Sequence, residues 1–130
     1  MIKSGLQFKN PKMEKIFFEL NKEYDENEEL SMDMDSEVQV KKNQDESEAT
    51  IVMNLKLGFE GENAPFKIDI IASSDFRWSE DVEFDIDKTL KVSGSTMLLS
   101  YIRPVVANLT MQAGLSPFHI PFLDLTRNVD

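Results

Sequence analysis

Three stretches of this chain alternate apolar and polar residues with a period of two, each placing most of its apolar residues on one parity. Leu30, Met32, Met34, Val38 and Val40 fall on even positions, interleaved with Ser31, Asp33, Asp35, Glu37, Gln39 and Lys41. Ala49, Ile51, Met53, Leu55, Leu57 and Phe59 take odd positions. Phe66, Ile68, Ile70, Ala72, Phe76 and Trp78 return to even ones. Successive side chains of a strand point to opposite faces, so each run reads as a strand with one buried and one wet face. The polar stretch from Lys41 to Glu48 makes a hairpin of the first two runs. Gly58, Gly61 and Pro65 mark the turn between the second and third. Consecutive strands with short polar connections predict an antiparallel meander.

The flanks complete the fold class. At the N-terminus, Leu6 and Phe8 open a strand that reaches Pro11. Residues 12–24 fit two patterns: Met13, Ile16, Phe17, Leu20 and Tyr24 are spaced for a helix, whereas Ile16, Phe18 and Leu20 alternate. The Phe17-Phe18 pair favours a strand, so an irregular edge strand is expected from about Gly5 to Tyr24. Asp25 to Glu29 reads as a solvated acidic turn. Val82, Phe84 and Ile86 alternate within an acidic stretch that suggests a short edge segment. Beyond it, Leu98, Ile102, Val105 or Val106, and Leu109 recur at helical spacing. Ser93 or Ser95 is placed to cap that helix, and Gly114 suits its left-handed end. Pro104 interrupts it and removes one backbone donor, so a kink is expected there. The whole predicts an α+β protein: a four-stranded antiparallel sheet, one long C-terminal helix and a proline-rich tail, forming one domain over 1–130.

Composition narrows the function classes. There are 24 acidic and 14 basic residues, a net charge of −10. Such a surface repels phosphate backbones, whose ligands work through Lys and Arg displacing counterions, and it disfavours anionic membranes. Nucleic acid is therefore not an expected partner. No cysteine is present, which removes disulfides and thiolate metal sites. No apolar run approaches the roughly 18 residues of a membrane span, and Met1 to Gln7 lacks the apolar core of a secretion signal. Together these lead to the expectation of a soluble, cytoplasmic protein without membrane insertion.

Catalytic and metal chemistry is poorly supplied. His119 is the only histidine; set among apolar residues and prolines, it is expected to pack or to hydrogen-bond. The acidic runs 25–29 and 45–48 lack the calcium-loop spacing of glycine and glutamate. Asp33 and Asp35 share a strand parity but no evident cleft, which suits a glycosidase pair poorly. Glycine-rich phosphate loops are absent. No enzyme activity, metal or cofactor is expected.

The C-terminal third carries a resemblance. Leu98-Leu99, Tyr101-Ile102-Arg103, Leu109-Thr110, Gly114-Leu115, Pro117, Ile120-Pro121 and Leu125 resemble the SecB protein-export chaperone family. Leu6-Gln-Phe8 before Pro11 looks like that family's first strand, Glu37-Val-Gln-Val40 like the start of its second, and Phe66-Lys-Ile-Asp-Ile70 like its fourth. Ser100 stands where the family usually has proline before Tyr101. The resemblance implies the sheet-and-helix fold already read from periodicity, assembly as a dimer of dimers, and capture of extended, unfolded polypeptide clients along apolar grooves. Positions matching the groove are Val38 and Val40, joined by Met32, Met34, Phe76 and Trp78, whose soft or aromatic side chains repack around varied sequences.

The family docks on the export ATPase SecA through acids on the exposed sheet face. The matching positions here are Gly5, Lys9, Lys67 and Asp69, so Asp69 is the one acid retained. The family also continues into a second helix beyond the position of Asp130. Both departures count against export coupling and leave peptide binding untouched. Some SecB-like proteins serve antitoxins, which is the other client class implied. Apolar surface exceeding what one layer can hide predicts a homo-oligomer, with Phe66, Ile68 and Ile70 as interface candidates. The competing reading is an acidic, non-chaperone protein-binding module, such as a nucleic-acid mimic on a basic partner.

Overall fold

The computed structural model describes residues 5–43, 47–79 and 85–121. Five strands form one sheet: β1 (Leu6–Phe8), β2 (Lys12–Leu20), β3 (Met34–Asn43), β4 (Glu48–Leu57) and β5 (Phe66–Trp78). β3, β4 and β5 are the expected meander, each antiparallel to the next. β1 and β2 both lie along the other side of β5, so they occupy one edge of a sheet four strands wide.

That edge is the irregular strand expected near the N-terminus. It breaks between Phe8 and Lys12 and bulges between Met13 and Lys15. Pro11 has no backbone donor for the ladder, which explains the break. Residues 12–20 resolve as strand, not helix, because a whole length of β5 is available to pair with them.

Parity sorts the sheet into two faces. The inner face carries Ala49, Ile51, Met53, Leu55 and Leu57 of β4 against Phe66, Ile68, Ile70, Ala72 and Phe76 of β5, all buried in one core cluster. A continuous helix roofs it. This begins as α1 (Ile86–Thr89), passes through a π-helical stretch (Leu90–Gly94) and runs on as α2 (Ser95–Gln112). Leu90, Leu98, Leu99, Ile102 and Val106 point into the core. Fully burying side chains of this kind stabilises by roughly 1.5–3 kcal/mol each, which makes the inner face the main source of stability.

Several boundaries differ from the sequence reading. The helix begins earlier than Ser93 or Ser95, so neither caps it. Asp85 does, its carboxylate accepting from the Lys88 amide at 3.3 Å, while the Ser95 hydroxyl donates back to the Lys91 carbonyl. Residues 80–84, the acidic alternating segment, lie outside the described residues, as does Leu125. The first alternating run pairs with β4 only from Met34; Leu30 is exposed. The hairpin is tighter than expected, with pairing extended to Asn43 and Glu48.

Gly58 ends β4 with φ at 79°, a conformation that side chains disfavour. Phe59 thereby leaves the odd-numbered buried set and stands exposed beside Phe17, ring centroids 6.4 Å apart.

Asn21 to Asp33 cross from one edge of the sheet to the other. Asn63 pins this crossover: its side chain donates to the carbonyls of Asp25 and Glu29 and accepts from the Asp25 amide. Asp33, far from being half of a carboxylate pair, accepts from the amides of Glu60 and Gly61. It therefore holds the β4–β5 turn.

Candidate functional site

The helix is narrower than the sheet it covers, and this mismatch generates the candidate binding surface. The middle strands are sealed; the inner faces of both edges are not. On β3, Met34 and Val38 are half-buried and Val40 is 36 % exposed. Met32, just before the strand, is also half-buried and packs on the core margin. These four sequence candidates therefore lie together as a strip along the inner margin of the β3 edge. The Lys42–Asp87 ion pair ties the far end of the strip to α1.

Phe76 and Trp78 do not join them. Both lie on β5, where Phe76 is 2 % exposed and packs against the tilted ring of Phe8, centroids 5.9 Å apart. Trp78 is partly exposed, as expected, and is paired with Leu6. Phe76 is thus a core residue, corrected from its groove assignment because Phe8 and α-helical neighbours cover it. Trp78 belongs to a second apolar region along the opposite edge, which includes Phe8, Ile16 and Leu20, all more than 40 % exposed. Sequence reasoning missed these three as surface residues. Their alternation was visible, but alternation assigns a face and says nothing of whether the roof reaches it.

Phe66, Ile68 and Ile70, the interface candidates, are 2 %, 0 % and 0 % exposed within the single chain. The helix covers them, so they are core and unavailable to a second subunit. On the outside of the helix the apolar side chains Tyr101 and Met111 are exposed, at 39 % and 55 %.

Asp69 lies on the open face, away from the helix, but it is not a free acid. Lys15 donates to one carboxylate oxygen at 2.8 Å and Asn54 to the other at 2.6 Å. Burial works to raise its pKa, yet these bonds and the charges of Lys15 and Lys56 outweigh it and hold the carboxyl below its ordinary value. With both oxygens engaged and the residue 7 % exposed, Asp69 is a poor docking residue; it fastens β2 to the centre of the sheet. Around it, Lys56 and Lys67 stand over the Phe59 ring at 5.7 and 5.6 Å.

The tail after the helix returns to the core. Gly114, φ 90°, sits in the left-handed position foreseen for it, and the Leu115 amide donates back to the Thr110 carbonyl. Thr110 is fully buried; its hydroxyl reaches the Val106 carbonyl and accepts from the Phe118 amide at 2.8 Å. Phe118 then packs edge-on against Phe66, and Arg103 donates to the Pro121 carbonyl. His119, expected to pack or to hydrogen-bond, is exposed, because Phe118 and Ile120 take the inward positions.

A depression of about 370 Å³ on the open face is lined by Lys9, Lys41, Glu48, Asp75 and Arg77 among others. Arg77 pairs with Glu48 and Thr50 donates to Asp75, both at exposed positions. These are solvated surface pairs, without the burial that tunes groups for acid–base chemistry. Among the described residues no group of three or more His, Cys, Asp or Glu side chains could hold a metal. Also among them, no helix is long and apolar enough to cross a membrane.

An antiparallel sheet roofed on one face by a long helix, with apolar margins left open at both edges, places the chain among α+β proteins of sheet-and-helix architecture. The SecB family model, described as preprotein translocase subunit SecB, matches residues 2–127. The chain belongs to the SecB family. Its fold is similar to that of a Mycobacterium tuberculosis SecB-like chaperone solved in complex with a ChAD peptide from the HigA1 antitoxin. The TM-score is 0.74 at 18 % identity, covering 92 % of this chain and 91 % of the other. A Streptococcus agalactiae protein of unknown function is more distant, with a TM-score of 0.49 and 14 % identity over 90 % of this chain and 97 % of that one. No curated protein matches the sequence.

Proposed function

We propose that this protein is an ATP-independent holdase chaperone of the cytoplasm, which binds unfolded polypeptide and keeps it from aggregating. The observation that carries the reading is the apolar strip of Met32, Met34, Val38 and Val40, left half open beside the helix in a chain that belongs to a chaperone family. Burying apolar client surface there is worth about 25 cal/mol per Å² before the entropy of ordering the client is subtracted. The net charge of −10 speeds encounter with basic clients.

An antitoxin is a fitting client class, since the structurally similar mycobacterial chaperone was solved with an antitoxin peptide. Coupling to the export ATPase is not part of the proposal: Gly5, Lys9 and Lys67 replace acids on the presumed docking face, and Asp69 is already occupied. The working form is a homo-oligomer, a dimer of dimers, with Tyr101, Met111 and the β1–β2 margin as the surfaces that a second copy would cover.

The test is light scattering from a reduced, unfolded model client without nucleotide. Stoichiometric suppression of its aggregation is expected; undiminished scattering at excess chaperone overturns the reading. The competing module reading, an acidic mimic of nucleic acid, requires a uniformly acidic face, and the open face instead mixes Lys15, Lys56, Lys67 and Arg77 with its acids.

A further inference from the structure

The open face of the sheet carries a charge balance unlike that of the whole chain. Half of the 14 basic residues stand on it: Lys9, Lys12 and Lys15 along the β1–β2 edge, Lys56 and Lys67 on the central strands, Lys41 and Arg77 towards the hairpin. Of the 24 acidic residues, the ladders place six there, and three of those are already engaged. Asp69 holds Lys15 and Asn54, Asp75 holds Thr50, and Glu48 holds Arg77. Glu19, Asp35 and Glu37 remain, against five lysines that form no ion pair with a described residue. A chain of net charge −10 thus presents one face on which the unpaired charge is positive.

An apolar anchor sits among these lysines. The left-handed turn at Gly58 delivers Phe59 to the open face, where its ring adjoins that of Phe17 and both are exposed. Lys56 Nζ and Lys67 Nζ stand 5.7 and 5.6 Å from the Phe59 centroid. Asp35 lies across the ladder from Lys56, and Glu19 from Lys67, yet neither lysine turns to its acid. The ring attracts a cation through its quadrupole, and a solvated ion pair offers little more, so the aromatic side chain gathers both ammonium groups. Each ammonium carries three donors, and neither lysine gives one to a described residue.

We infer that the open face is a second binding surface, which docks an acidic segment of a partner protein: carboxylates meet Lys56 and Lys67, and an apolar side chain between them covers Phe17 and Phe59. Charge complementarity selects this occupant, since a basic segment would meet five unpaired lysines. Nucleic acid is disfavoured by the acidity of the rest of the chain, which a long phosphate backbone would also meet. The aromatic pair supplies the desolvated centre of the contact, while the surrounding lysines act on encounter rate and selectivity. The sheet separates this surface from Val38 and Val40 on the inner face, so a partner here leaves that margin free. The inference does not depend on the chaperone reading.

The probe is a fluorescein-labelled peptide of glutamates around a central pair of leucines, titrated by anisotropy against the full chain. It is expected to bind in spite of the like net charge, and to weaken as salt screens the lysines. With nitrogen-15-labelled protein, amide shifts are expected at Phe17, Lys56, Phe59 and Lys67. Absence of binding overturns the inference, and so do shifts centred on Met34 and Val40, which would make the peptide a client. Lys67→Glu should weaken the peptide by about tenfold and Phe59→Ala several-fold, both at exposed positions and with melting temperature retained. Unchanged affinity in both variants overturns the assignment. Displacement of the peptide by an equal concentration of single-stranded oligodeoxythymidine would give the face to nucleic acid and overturn the protein partner. Suppression of client aggregation is a separate measurement, so failure of either reading leaves the other standing.

Discussion

Lys15 Nζ lies 2.8 Å from Asp69 Oδ2, linking the bulged edge strand to the central strand across the open face of the sheet. The lysine is half exposed and the carboxylate nearly covered, so the contact behaves as a fastening whose buried end also needs Asn54. Asp69 titrates below its ordinary value when folded. A depressed carboxyl stabilises the fold fully above its unfolded pKa of about 3.9 and loses that contribution as pH falls through the folded value. Asp69→Asn is accordingly expected to cost about 1 kcal/mol at pH 7, discounted for the exposure of Lys15, and to cost nothing once the acid is protonated. Urea melts of both proteins at pH 7 and pH 3 check this; an equal difference at both pH values contradicts it.

Ile68→Glu and Ile70→Glu place a carboxylate where the wild-type side chain is fully buried. An unpaired buried charge costs several kcal/mol unless it is neutralised. Both variants are expected to melt far lower or to fail to fold. Unchanged melting temperature and mass in both would show that this face is not the core.

Glycine substitutions should separate steric from conformational cost. A Cβ on Gly58 would stand 2.0 Å from the Phe66 carbonyl oxygen, whereas one on Gly114 meets nothing within 4 Å. Both have positive φ. Gly114→Ala should therefore lose only the left-handed penalty, about 1–2 kcal/mol, and Gly58→Ala markedly more, because a backbone atom must move. Thermal melts giving equal losses would contradict the turn geometry.

Thr110→Val keeps the volume of a buried side chain but leaves the Phe118 amide without its acceptor. The expected loss is about 1–3 kcal/mol. Thr110→Ser should restore most of it, and limited proteolysis should cut the tail faster in the valine variant alone. Identical digestion of the two variants would remove the hydroxyl from its anchoring role.

Met34→Asp and Val40→Asp should weaken capture of a fluorescent unfolded client by roughly tenfold each, since a carboxylate in the strip must be desolvated when the client binds. Asp69→Asn, the milder change on the opposite face, should leave capture by the folded protein intact. Full affinity in both strip variants would move client binding to the Phe8, Ile16 and Leu20 margin.

The alternation of residues 34–40, 49–57 and 66–78 determined three strands, their faces and their antiparallel order, because a period of two is a local property that needs no tertiary partner to be read. The same is true of the helix from Leu98 to Leu109 and its stop at Gly114. Residues 12–20 were ambiguous since their apolar spacing satisfies two periods, and only the unpaired length of β5 decided for a strand. The helix start was hidden for a similar reason: serine caps many helices, but Asp85 won where the chain actually turned.

The candidate site divides along the same line. The sequence placed Met34, Val38, Val40, Phe66, Ile68, Ile70, Phe76 and Trp78 on one apolar face, and all of them lie on it. Which of them stay open was decided by the width of a single helix against a sheet four strands across. That is a property of packing: α2 and the π-helical stretch cover the apolar face of β4 and of β5 as far as Phe76 and stop short of the inner margins of β3 and of β1–β2, so chemically similar residues become core at Ile70 and accessible surface at Val40.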